Sequence, residues 1–306
     1  MENVLEVFIL MFYYARIFGL APFLFKNNCF EKSKAWYIFS YAFFAINLIL
    51  QLFSQYIMYN EFNAEEKLKN FVRICDLLGF PLNSIISSII ILLNFDVFQN
   101  LQNFNMFYRK NQKDAKIKNI KHLKSISYLV FWLCIISNLF LNSTQCYCWF
   151  SLKIGQVVKC LAVITRSSTT LAISGLFVIY LHVIRFCYQI INNILLSIIR
   201  SLMDSKKDFI KRDNMETVML IRCLMSTEFS LKDVIERING MFGFFNLLVV
   251  GNTFIETVHV LVFRVAFPHE THCVLKVAYY WLVYCVLMLV GSVVPSMLVE
   301  KEVSRL

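Results

Sequence analysis

The stretch CLAVITRSSTTLAISGLFVIYLHVI, residues 160–184, decides the fold of this chain. Its side chains are mostly apolar, and the polar ones are Arg166, His182, Ser174 and a run of hydroxyl groups between Thr165 and Thr170. A helix needs about 20 mostly apolar residues to cross the hydrocarbon core of a membrane, and this stretch is long enough. It therefore predicts a transmembrane helix.

Similar apolar stretches occur on both sides of it. The composition agrees, since 58% of the residues are hydrophobic and only 16% are charged. A soluble protein could not bury so many long apolar segments, so we predict an all-α, polytopic membrane helix bundle with six crossings in a single domain over 1–306. The other five stretches are 35–58, 72–94, 125–143, 241–265 and 277–299.

The basic residues predict the orientation of the bundle. Lys and Arg are frequent between the second and third stretches and between the fourth and fifth, whereas the third-to-fourth loop has only Lys153 and Lys159. Basic loops stay in the cytoplasm. We therefore predict a multi-pass plasma-membrane protein with a cytoplasmic N-terminal segment, 1–34, and tail, 300–306. The net charge of +10 then reflects contact with membrane lipid rather than with nucleic acid.

The N-terminal segment and two loops predict further helices. Val4–Phe25 is apolar but contains Arg16, Gly19 and Pro22, which favours a helix that lies in or re-enters the inner interface and that Pro22 ends. Apolar residues recur at helical spacing near 95–124 and 185–240. Both regions are therefore predicted to form cytoplasmic helices that extend the bundle.

Polar residues in the outer halves of the helices predict a ligand pocket. A charge at membrane depth is costly, so Arg166 should face a watery cavity or a partner, unless it reaches the outer headgroups. Glu256 and His259 are three residues apart and share one helix face, and Glu256 could neutralise Arg166. The predicted ligand-binding residues are Asp76, Arg166, Ser167, Thr170, Thr253, Glu256, His259, Tyr280 and Tyr284. Purely structural roles stay open for these residues. The hydroxyl groups could form helix–helix hydrogen bonds, the histidine could be a packing residue, and the tyrosines could belong to an interfacial aromatic belt.

Other chemistry is poorly supported. No nucleophile motif or metal-ligand spacing accompanies Glu256 and His259, so we predict no enzyme activity, no metal and no cofactor. Asn142 begins a glycosylation sequon in a predicted extracellular loop, although it lies close to the third helix. Four cysteines near the same face could form a disulfide whose pairing stays open: Cys146, Cys148, Cys160 and Cys273.

Two short motifs resemble the insect gustatory receptor family. INGMFG at 238–243 is similar to the I-N-x-x-F-G run at the start of the family's fifth helix, and YARIFGLAPF at 14–23 resembles its N-terminal segment with the G-x-x-P-F element. The resemblance implies a chemoreceptor that binds small-molecule tastants in an extracellular-side pocket. It also implies that full-length relatives are subunits of ligand-gated cation channels, as homo- or hetero-tetramers with related receptors.

The chain departs from that family at its end. Members carry a seventh helix with T-Y-x-x-x-x-x-Q-F, which is thought to line the pore, whereas this sequence stops at Arg305-Leu306. The alternative is therefore a truncated nonconducting accessory or a defunct copy, and we expect that this chain alone does not conduct. A secondary transporter is disfavoured because no repeat halves are visible. A G-protein-coupled receptor is disfavoured because its N-terminus would lie outside.

Overall fold

The computed structural model describes residues 4–26, 29–60, 120–149, 154–204, 213–266 and 272–305. A 3-10 turn, Val4–Phe8, leads into a short helix, and a two-stranded hairpin separates that helix from five long ones. The elements are α1 (Ile9–Ile17), β1 (Phe23–Lys26), β2 (Cys29–Lys32), α2 (Lys34–Asn60), α3 (Lys121–Trp149), α4 (Ile154–Asp204), α5 (Asp213–Ala266) and α6 (His272–Val303).

Several long helices are apolar enough to cross a membrane. Among the described residues, these are Lys34–Ser54, Lys121–Thr144 and Gly155–Arg200, which confirm helices at three of the predicted stretches. Val218–Gly240 and Phe242–Gly251 of α5, bent by 42°, would add a fourth if the pair is one span. The stretch 277–299 lies within α6, and 72–94 lies outside the described residues. The molecule is an all-α membrane helix bundle, and six crossings stay a prediction.

Helix α4 is the centre of the bundle. Of its apolar span, 78% is buried inside the protein, against 28% for α2 and 17% for α3. Gly175 brings α1 and α3 close to α4, because a Cβ at this position would lie 2.5 Å from Met11 Cε and 2.9 Å from Cys134 Sγ. Interiors are close-packed, so a side chain here would force its neighbours apart.

Helix α1 lies inside the bundle. Its contacts with α3 follow the same order along both helices. Glu6, just before α1, pairs with Lys124 near the start of α3, and Tyr14 near the end of α1 contacts Asn138 in the second half of α3. The two helices are therefore parallel. On the other side, the Phe8 ring lies 4.9 Å from the Tyr180 ring of α4. The structure thus packs one side of this segment against α3 and α4, and whether the segment lies in or re-enters the inner interface stays a prediction.

The predicted end of this helix at Pro22 is wrong. Helix α1 ends at Ile17, and Gly19 follows with a φ of 70°. The Leu20 N–H donates to the Ala15 carbonyl and the Gly19 N–H donates to the Arg16 carbonyl. This is a Schellman cap, which needs the left-handed conformation that glycine adopts without steric cost.

The β-hairpin was not predicted. Phe25 pairs with Phe30 across the strands, and the Ser33 N–H donates to the Pro22 carbonyl at the base. The Phe12 ring of α1 lies 5.9 Å from the Phe23 ring and 4.7 Å from the Phe30 ring. Aromatic packing on α1 therefore supports strands of only four residues, which would be marginal alone.

Helices α4 and α5 continue well beyond the apolar stretches 160–184 and 241–265 that the sequence predicted. Helix α4 extends to Asp204, and α5 begins at Asp213. Isoleucines of α4 such as Ile190 and Ile194 are buried in the same core cluster as Leu231 and Val234 of α5. The predicted helices between 185 and 240 are present, and whether they lie in the cytoplasm stays a prediction.

The end of α6 is attached to α4 by a buried carboxylate. Glu302 is only 5% exposed. Its Oε1 accepts a hydrogen bond from Gln189 Nε2 at 3.0 Å, and its Oε2 accepts one from Arg305 Nη1 at 3.0 Å. Arg185 Nε lies 3.8 Å from Oε1, and Asn192 Nδ2 donates to the Glu302 carbonyl at 3.1 Å. We call this cluster the Glu302 anchor.

Candidate ligand-binding site

A hydrogen-bonded cluster joins α1, α3 and α4 in the upper part of the bundle. Asn138 and Asn142 are four residues apart on α3, and Asn142 Nδ2 donates to Asn138 Oδ1 at 2.6 Å. Ser167 Oγ donates to Asn142 Oδ1 at 2.8 Å, and Ser168 Oγ donates to Asn138 Oδ1 at 2.9 Å. Asn138 Nδ2 completes the cluster by donating to the Tyr14 hydroxyl at 3.0 Å.

A second cluster joins α2 to α4. Thr165 Oγ1 donates to Asn47 Oδ1 at 3.0 Å, and Gln51 Nε2 donates to the Ala162 carbonyl at 2.7 Å. Asn47 and Gln51 are both buried and lie one turn apart on α2. Hydrogen bonds between helices are favoured in a membrane because the alternative is an unsatisfied polar group in hydrocarbon.

The two clusters define the directions in which α4 faces its neighbours. Thr165 points to α2, and Ser167 with Ser168 points to α3. Successive residues of a helix turn by about 100°, so Arg166 and Thr170, four residues apart, share a face that neither contact uses. Arg166 is half-buried, and the Thr170 hydroxyl donates to the Arg166 carbonyl at 3.0 Å. This face of α4 is where a ligand could meet a charge.

The structure describes some of the predicted site residues and not others. Arg166 and Thr170 share a face, whereas the Ser167 hydroxyl already binds Asn142. Tyr280 of α6 is 37% exposed, and its ring meets the Phe140 ring edge-on at 5.0 Å. The remaining predictions, including an Arg166–Glu256 pair, are untested. Asp76 and the side chains of Thr253, Glu256, His259 and Tyr284 lie outside the described residues.

The glycosylation candidate lies within a helix. Asn142 belongs to α3, and its amide nitrogen donates to Asn138 while its oxygen accepts from Ser167. Modification of this nitrogen would have to compete with those hydrogen bonds. Glycosylation of Asn142 stays a prediction.

Sequence reasoning missed part of the polar framework. Asn47, Gln51 and Tyr14 were not singled out as polar contacts, and the sequence leaves Asn138 open between lining a pocket and capping or pairing with a neighbouring helix. The available signal was spacing, since two amide side chains four residues apart in an apolar helix lie on one face. Their partners on α4 could not be inferred, because spacing within one helix says nothing about which helix packs against it.

The chain matches a family of known receptors over nearly its whole length. The model of the family described as "7tm Chemosensory receptor" matches residues 8–306, which is nearly the whole chain. The chain belongs to the 7tm chemosensory receptor family. The receptor is therefore a membrane protein with a chemoreceptor role. No curated protein matches the chain.

Proposed function

We propose that the receptor is a gustatory-type chemoreceptor of the plasma membrane that binds small-molecule tastants on the extracellular side. We further propose that it acts as a subunit of a ligand-gated cation channel, in a tetramer with itself or related receptors. The family match over residues 8–306 carries this proposal. The order of the motifs at 14–23 and 238–243, which resemble those of insect gustatory receptors, supports the taste role.

The proposed pocket lies beside the Arg166–Thr170 face of α4. Small-ligand sites are mostly apolar concavities with a few converging polar groups. Arg166 would supply a charge-assisted hydrogen bond to a hydroxyl or anionic group of the tastant. Thr253, Glu256 and His259 of α5, Tyr280 and Tyr284 of α6, and Asp76 complete the proposed lining.

Rigid neighbours support a binding role for this face. The other directions of α4 are held by hydrogen bonds to α2 and α3, so Arg166 projects from a helix that is fixed on two sides. A binding residue that is carried by a rigid helix loses less conformational entropy when a ligand binds. The same hydrogen bonds would keep the pocket's shape between different ligands.

The proposal is tested by ligand response in cells. The receptor is expressed with confirmed surface delivery, and calcium entry is recorded with a panel of sugars and bitter compounds. For an active compound, Arg166→Gln should raise the half-maximal concentration by roughly tenfold or more, because hydrogen bonds to charged groups contribute about 1.5–3 kcal/mol. The matched control is Arg237→Gln, since Arg237 pairs with Asp233 on an exposed part of α5.

Binding and conduction are separated by a second measurement. Thermal stabilisation of the purified receptor by the same compound reports binding without any current. Stabilisation that Arg166→Gln abolishes would support the site even in a receptor that conducts only with a partner. An unchanged response in Arg166→Gln, with Arg237→Gln equally unchanged, would remove Arg166 from the pocket.

A further inference from the structure

Arg16 carries a positive charge that no carboxylate balances within the described part of the chain. Its Cζ lies 5.0 Å from the centre of the Tyr13 ring and 4.8 Å from that of the Trp36 ring. The guanidinium donates to the Phe23 carbonyl, and its Nε is buried with no hydrogen-bond partner among the described residues. Aromatic rings and a carbonyl stabilise the cation but leave its charge in place.

The surface beside Arg16 is apolar and exposed. Tyr13 is 54% exposed and Ile17 is 63% exposed, although both belong to a helix whose other side is buried. In a membrane protein such an apolar surface contacts acyl chains. Trp36 lies at the start of α2, whose apolar span begins at Lys34. Arg16 and Trp36 therefore lie together at the start of the apolar span of α2, and tryptophan is favoured at the membrane interface.

The neighbouring hairpin adds further positive charge. Lys26, Lys32 and Lys34 are exposed on or next to its strands, and Glu31 is the exposed acid among them. Glu6, the other carboxylate in the described part of this segment, pairs with Lys124 at the far end of α1. A basic surface at the start of a transmembrane helix attracts anionic lipid, by about 1 kcal/mol for each Lys or Arg near the surface.

We propose that Arg16 and the basic hairpin form a binding site for the phosphate of an anionic phospholipid, with the acyl chains along Tyr13 and Ile17. Arginine suits this role because its planar fork can hold two phosphate oxygens. A membrane lipid fits better than a soluble phosphate, since the charge lies beside an exposed apolar surface. With a cytoplasmic N-terminus, the lipid would belong to the inner leaflet.

Quenching of Trp36 by brominated lipid tests this site. The chain has four tryptophans, so Trp132, Trp149 and Trp281 are replaced by phenylalanine to leave Trp36 as the reporter. The full chain is reconstituted in phosphatidylcholine vesicles that contain a small fraction of brominated phosphatidylserine or, in parallel, brominated phosphatidylcholine. The lipids are present in both leaflets, so the orientation of the chain does not affect the result.

The expected result is a preference for the anionic lipid at Trp36 of about fivefold, which corresponds to about 1 kcal/mol. Arg16→Gln should remove most of this preference, and Arg16→Lys, which keeps the charge, should retain more of it. Arg222→Gln is the matched control, because it removes one exposed arginine charge from α5, outside the proposed lipid site, and should change the preference little.

Three outcomes would overturn the proposal. Equal quenching by the two lipids in the parent chain would show no anionic site, whether or not the variants fold. An equal loss in Arg16→Gln and Arg222→Gln would show a general effect of the protein's positive charge rather than a site at Arg16. Suppression of the preference by millimolar inorganic phosphate at constant ionic strength would assign the site to a soluble anion.

Discussion

Single residues decide how closely the central helices pack. Gly175 has no side chain, and this allows the Met11 side chain and the Cys134 sulfur to meet α4. Gly251 of α5 provides a contrast, since a Cβ there would meet nothing within 4 Å. The same residue type is thus a packing requirement at one position and not at the other.

A valine at these two glycines should therefore have opposite effects. Gly175→Val should lower the melting temperature of the purified receptor, because overpacking typically costs about 1–3 kcal/mol. Gly251→Val should leave it unchanged or raise it slightly, since valine is a better helix former than glycine. The measurement is thermal unfolding in detergent. Equal melting temperatures for both variants would contradict the packing of α1 against Gly175.

Asn138 is the most connected side chain of the polar cluster. It donates to Tyr14 and accepts from Asn142 and Ser168. Asn138→Leu leaves those partners unsatisfied, and we expect a loss of about 1–3 kcal/mol, seen as a lower melting temperature. Thr227→Ala is the control, since that exposed hydroxyl donates to the Cys223 carbonyl of its own helix, α5. A loss no larger than the control's would mean that the cluster contributes little stability.

Among the elements, α6 depends on α4 for the position of its last turn. The Glu302 anchor joins the two helices through a carboxylate, two arginines and two amides. Burial alone raises the pKa of Glu302. The hydrogen bonds from Gln189 and Arg305 and the charges of Arg305 and Arg185 outweigh burial, so the net pKa lies below its ordinary value of 4.5. The anchor is therefore built for an ionised Glu302.

This shift predicts how the anchor responds to acid. A carboxylate with a lowered folded-state pKa stabilises the fold above its unfolded pKa, and that stability is lost as the pH falls through the folded value. Glu302→Gln should lower the melting temperature at pH 7, and the difference from the parent should shrink below pH 4.5. Glu300→Gln, at an exposed neighbouring position, should match the parent throughout. A difference that is independent of pH would show that the charge of Glu302 is not what matters.

The elements also show where sequence reasoning succeeds and fails. The long apolar helices could be predicted because a membrane requires length and low polarity, which composition reveals. The end of α1 could not be placed correctly from Pro22, because the Schellman cap at Gly19 acts three residues earlier. The hairpin was missed because two four-residue strands carry almost no pattern of their own, and Phe12 of another element stabilises them.

At the scale of the whole molecule, the charge distribution predicts one orientation. An epitope tag at Met1 should be reached by antibody only after the cells are permeabilised, because basic loops resist translocation. A tag in the loop between α3 and α4, which has few basic residues, is the control and should be labelled on intact cells. Labelling at Met1 on intact cells would reverse the orientation and move the proposed pocket to the cytoplasmic side.

The candidate site was harder to predict than the helices because it depends on how the whole bundle packs. Arg166 was recognisable because a charge in an apolar stretch is costly wherever the helix lies. The clusters that fix Arg166 join residues that are distant in the chain, such as Ser167 with Asn142, 25 positions apart, and Thr165 with Asn47, 118 positions apart. Only the packing of the whole bundle brings such residues together, so one sequence cannot specify them.

The buried position of α1 also has a consequence for the order in which the receptor is made. Phe8 leaves the ribosome early, but its partner Tyr180 follows about 170 residues later, which takes on the order of ten to thirty seconds at cellular rates of synthesis. Throughout that interval the apolar side chains of α1 have no native partners on α4. The segment must therefore wait, in the translocon, on a chaperone or at the lipid surface, until the central helix arrives to enclose it.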